Sequence, residues 1–147
     1  MTAIALLLGF GCVSDGVAEE VRGHCTRLAE LRVIPFRRGE TDDEVYLALM
    51  KEGRGAVTCL VERITDTTEM KDPREAPPVY FVVGDAAVMM LTEITGISIK
   101  ECLPEEFASK WRDKGIYSYF SYVWKSKSNR QELQRCWLEH VEEWLKH

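Results

Sequence analysis

The residues best able to do chemistry in this sequence fall into four groups. The first is the turn Gly9-x-Gly11-x-x-Ser14 after an apolar run, with Ala18 four residues on. Paired glycines between a strand and a helix let a pyrophosphate approach the helix N-terminus, as in dinucleotide-binding turns. Arg37 and Arg38 end the next apolar segment, where a 2′-phosphate is often held. This set makes Gly9, Gly11, Ser14 and Arg38 candidate residues for an NADP-type cofactor. Against it, Ser14 stands where the third glycine belongs, and a glycine pair after a strand serves equally well as a plain turn.

The second group is Cys136 and His140, one helical turn apart and spaced to give two metal ligands. No C-x-x-C or H-x-x-x-H pair completes the set, so the expectation is no metal, with both residues packing beside an apolar stripe. The third is a thiol nucleophile: Cys12 lies near an expected helix N-terminus, which would favour its thiolate, and His24 is the nearest histidine along the chain. A separation of twelve helical positions would place them about 18 Å apart, so the dyad is disfavoured. With no G-x-S-x-G, H-E-x-x-H or P-loop pattern, no catalytic residue is assigned and the reading leans away from an enzyme.

The fourth group is the aromatic run Tyr117, Tyr119, Phe120, Tyr122 and Trp124, with Trp111, Trp137 and Trp144 elsewhere in the same third of the chain. Such a run fills a core or, if turned outward, offers a partner-binding face, since Tyr and Trp are enriched at interfaces. Tyr117, Tyr119, Tyr122 and Trp124 are the candidate partner-binding residues. Lys125, Lys127 and Arg130 give only a small basic patch beside them.

These groups need elements to position them. Ala3 to Leu8 reads as a buried first strand; it lacks the basic flank and the length of a secretion leader. An amphipathic helix follows from Ser14 through Val17, Val21, Cys25 and Leu28, then a strand at Arg32 to Phe36. Thr41 and Glu44 form a capping box for a helix ended by Gly53. The continuous apolar run Ala56 to Val61 reads as a strand covered on both faces. Residues 65–78, polar and proline-bearing, read as an exposed loop. The second half continues with a strand from Val79 to Val83, a helix from Ala86 to Thr95 and a strand from Ile97 to Leu103. A helix from Glu105 to Lys114, a strand from Ile116 to Trp124 and an amphipathic helix opened by a Ser128/Gln131 capping box complete it. The expected fold is one α/β domain: residues 3–64 as a βαβαβ half, 65–78 as a loop, 79–147 as a second half, and a mixed or parallel sheet of five to six strands with helices on both faces.

The 147 residues, 46% hydrophobic and 29% charged, suit one globular core. A net charge of −5 argues against nucleic acid, and no run is long enough to span a bilayer. The five scattered cysteines read as reduced thiols of a cytoplasmic protein.

Residues 3–64, through the segments V-I-P-F-R-R-G-E and A-V-T-C-L-V, resemble the anticodon-binding domain of class II aminoacyl-tRNA synthetases and its coactivator-like relatives. That resemblance implies a mixed α/β sheet and a binding role toward RNA or protein; no binding residue carries over. The acidic charge and the aromatic C-terminal third favour protein, so the expected function is a non-catalytic binding or assembly module working with a protein partner or as a homo-oligomer. The alternative is a Rossmann-like nucleotide-binding domain.

Overall fold

The computed structural model describes residues 23–32, 42–70 and 81–147. Among these residues the chain is helical and no sheet is present. The β interaction there is an isolated antiparallel bridge between Glu69 and Val82. The expected α/β sandwich, and with it the Rossmann-like reading, is therefore corrected to a packing of helices among the described residues. The expected strand at residues 3–8 and the candidate cofactor residues Gly9, Gly11, Ser14 and Arg38 lie outside the described residues. So do Cys12, Thr41 and most of the segment 32–36.

Seven α-helices are described: α1 (Glu44–Glu52), α2 (Val57–Glu62), α3 (Val83–Thr95), α4 (Glu105–Ala108), α5 (Trp111–Lys114), α6 (Ile116–Val123) and α7 (Ser128–Trp144). Residues 23–26 are also helical. Short 3-10 turns occupy Leu28–Glu30, Gly53–Ala56 and Ile99–Cys102. Helix α3 is the centre: every residue from Val83 to Leu91 is buried, as expected of a helix enclosed on all sides. It packs against α1, α2 and the Leu28–Glu30 turn, while α7 packs against α2, α6 and the Ile99–Cys102 turn.

Three expected strands are helical, each for a traceable reason. In 56–61, Val57, Leu60 and Val61 with Ile64 are buried while Thr58 and Glu62 face out, an i, i+3, i+4, i+7 stripe that a short apolar run disguises. In 116–124 the exposed positions are Tyr117, Ser121 and Trp124, again at helical spacing. Packing against α4, α5 and α7 overrides the β-preference of its aromatics. In 97–103, Ser98 Oγ accepts the Lys100 N–H (3.3 Å) and Glu101 accepts the Ser98 N–H (3.2 Å), a capping box that winds the chain into a 3-10 turn.

Smaller shifts concern helix starts. Asp43 caps α1, its Oδ1 accepting the Val45 N–H (2.9 Å) and the Tyr46 N–H (3.3 Å). Helix α7 begins at Ser128, where Ser126 Oγ accepts the Ser128 N–H (3.3 Å) in place of the expected Ser128/Gln131 box. Gly53 ends α1 as expected, and Gly96 ends α3, both at positive φ (52° and 73°). The expected helix 105–114 is split into α4 and α5. Within the expected loop, residues 66–70 run back alongside the entry to α3: Met70 N–H donates to the Phe81 carbonyl and Gly84 N–H to the Asp66 carbonyl, both at 2.9 Å.

Candidate functional site

Helix α6 is the element that divides its aromatic residues between core and solvent, and a buried polar cluster fixes its orientation. Asp85, on the first turn of α3, is fully buried. Its Oδ2 accepts the Val82 N–H (3.0 Å), capping α3. Its Oδ1 accepts the Tyr119 hydroxyl of α6 (2.6 Å) and Arg130 Nη2 of α7 (2.7 Å), and Arg130 Nη1 donates to the Tyr119 oxygen at 3.4 Å. Three helices thus meet on one carboxylate. Burial, reinforced by the Asp85 charge, pushes the Tyr119 hydroxyl well above the ordinary tyrosine pKa. Burial works to lower the Arg130 pKa, but Tyr119 and Asp85 outweigh it and hold the guanidinium charged.

A second pair of contacts closes the α6–α7 corner. Asn129 Nδ2 donates to the Tyr122 carbonyl (2.7 Å), and the Tyr122 hydroxyl donates to Glu132 Oε2 (3.0 Å). Burial, with this bond to a carboxylate, pushes the Tyr122 pKa up to about 12. The Phe107 ring lies 5.2 Å from that of Tyr122, and Phe120 is 5.6 Å from Phe81.

The four sequence-predicted partner-binding residues therefore separate. Tyr119 and Tyr122 are core, at 0% and 4% exposure, while Tyr117 and Trp124 stand 66% and 52% exposed. Tyr117 is on α6 and Trp124, seven residues on, is its C-terminal cap residue with near-helical backbone, so they lie on the same face with Ser121 between them. Trp124 is held by stacking on Phe120 (centroids 5.1 Å, planes 24°). Exposed Lys110, Arg112 and Lys114 precede this face and exposed Lys125 and Lys127 follow it, with Asp113 the acidic residue among them. Lys125 lies 3.6 Å from Glu106, both side chains well exposed. Arg130, expected in the basic patch, is instead buried in the polar cluster.

The cysteines also depart from expectation. Cys25 is bonded to Cys59 and Cys102 to Cys136, with Cα atoms 6.2 and 5.6 Å apart, so the reading of reduced core thiols is corrected for these four. The first bond joins residues 23–26 to α2; the second joins the Ile99–Cys102 turn to α7. His140 completes a cluster with Cys102 and Cys136 whose ligand atoms all lie within 4.8 Å of one another. The i, i+4 spacing of Cys136 and His140 was visible in the sequence; the third member was not, because Cys102 is 34 residues away. No helix among the described residues is long and apolar enough to cross a membrane. No family model, no curated protein and no solved structure matches this chain.

Proposed function

We propose that this chain is a non-catalytic binding module that engages a protein partner through the outer face of α6. The observation that carries the reading is the outward pair Tyr117 and Trp124 on a helix whose opposite face is anchored by Tyr119 and Tyr122. Large rigid aromatics make good interface anchors because they bury much area at low entropic cost. The buried polar groups beneath them, Asp85, Tyr119 and Arg130, hydrogen-bond one another and, through Asp85, the Val82 N–H, which suits a scaffold. The five basic side chains flanking the face, in a chain of net charge −5, favour an acidic, apolar partner segment. A cytoplasmic setting belongs to the same reading, so binding is measured with and without reductant.

The test is selection of displayed peptides on the folded chain, followed by titration of single peptides against Trp fluorescence. Acidic peptides with apolar anchors should be enriched, and Tyr117→Ala with Trp124→Ala should weaken them at least about tenfold, the cost of a hot spot, with native circular dichroism retained. Peptides that bind the double variant as well as the parent would refute the assignment of α6. Light scattering on both proteins separates self-association through this face from capture of a different partner.

A further inference from the structure

We propose that, when the Cys102–Cys136 bond is reduced, Cys102, Cys136 and His140 form a three-ligand site for a zinc ion. Among the described residues these three side chains are the set of potential metal ligands that converge, all their ligand atoms lying within 4.8 Å of one another. Zinc in a tetrahedral site has Zn–S near 2.3 Å and Zn–N near 2.0 Å, which requires sulfurs about 3.8 Å apart and sulfur and nitrogen about 3.5 Å apart. The two sulfurs are bonded to each other in the oxidised chain, with Cα atoms 5.6 Å apart, and must move apart to that separation once the bond is opened. Two of the ligands are held by one helix, since Cys136 and His140 are a turn apart on α7. The third sits on the 3-10 turn fixed by the Ser98/Glu101 capping box. Cys102 is buried while Cys136 and His140 are half-buried, so the site is sheltered on one side and open on the other. A Cys2His set leaves the fourth tetrahedral position to water or an exogenous ligand, the pattern of zinc sites that exchange ligands.

The chemistry links metal to redox state. A thiol reductant supplies two electrons and two protons to the Cys102–Cys136 bond and leaves as its own disulfide. Zinc then displaces the two thiol protons, while His140 binds through a neutral ring nitrogen. In the reverse direction a small-molecule disulfide takes two electrons from the two thiolates and, with two protons, becomes two thiols. The Cys102–Cys136 bond re-forms and Zn2+ is released.

The experiment uses the full chain carrying Cys12→Ser, Cys25→Ser and Cys59→Ser, so that Cys102 and Cys136 are its remaining thiols. Reduced with a phosphine and titrated anaerobically with Co2+, it should bind one ion per chain. Thiolate-to-cobalt charge-transfer bands and tetrahedral ligand-field bands should appear, and one equivalent of Zn2+ should displace them. The oxidised chain should show neither. His140→Ala should weaken Zn2+ binding at least about tenfold, since even outer-shell partners of a metal cost that much, and Cys102→Ser should abolish the bands. Absence of bands in a reduced chain with native circular dichroism overturns the proposal, as does unchanged affinity in His140→Ala. The His140→Ala comparison keeps both cysteines and decides the matter if Cys102→Ser fails to fold. The same titration on the reduced wild-type chain checks that the serine background did not create the site.

Discussion

At the scale of single residues, the Asp85–Tyr119–Arg130 cluster is where the interior is most exposed to damage. The Asp85 carboxylate, with no solvent contact, is faced by a guanidinium and a hydroxyl at 2.7 and 2.6 Å. Removing one partner strands a buried charge, whereas removing both charges together strands nothing. Arg130→Met should therefore cost about 3–5 kcal/mol in urea unfolding at neutral pH. The pair Asp85→Leu with Arg130→Met should cost less than the sum of the singles, a coupling that a double-mutant cycle measures. A loss under about 1 kcal/mol for Arg130→Met would mean that the ion pair is dispensable.

At the scale of elements, the entry to α3 shows how one missing side chain lets three segments meet. Gly84 lies under the Ile64 carbonyl and beside Arg130 Nη1; a Cβ placed there would stand 2.9 Å from Nη1 and closer still to the carbonyl oxygen. On an isolated helix a Gly to Ala change gains up to about 1 kcal/mol. Here the backbone of residues 64–66 cannot retreat without giving up the Gly84-to-Asp66 hydrogen bond. Gly84→Ala should therefore destabilise the fold by about 2 kcal/mol or more in thermal or urea unfolding. Gly55→Ala, whose added Cβ would have Glu52 Oε2 at 3.8 Å as its nearest neighbour, should be neutral or slightly stabilising. Equal effects at the two glycines would remove close packing as the reason for Gly84.

For the molecule as a whole, the inward tyrosines couple stability to alkaline pH. Burial and the Glu132 carboxylate raise Tyr122 to about 12, and Tyr119 is raised as well, both above the unfolded value of about 10. The folded state then holds protons that the unfolded state releases, so this part of the stability is complete below pH ~10 and is lost as pH rises toward ~12. The urea midpoint should fall across that window, and Tyr122→Phe should flatten the fall. An unchanged slope in Tyr122→Phe would show that Tyr122 ionises in the folded state as readily as in the unfolded chain.

Local signals in the chain were legible where they act within a few residues. The glycines that end α1 and α3, the apolar stripe of α7 through Leu133, Trp137 and Val141, and the helix following Val83 could all be read from spacing. The type of the short apolar segments could not. Ala56 to Val61 and Ile116 to Val123 contain both strand-like composition and a helical stripe, and burial against α3, α4, α5 and α7 chose the helix. Convergence over distance was also hidden. The meeting of Asp85 with Tyr119 and Arg130, of Cys102 with Cys136 and His140, and the split of four aromatics into two inward and two outward depend on how helices cross. By itself, then, the sequence determined where helices stop and which faces are apolar, because caps and amphipathic periodicity are local. Only the tertiary structure decided whether apolar runs wind or extend and which distant side chains touch, because those outcomes minimise exposed surface over the whole molecule at once.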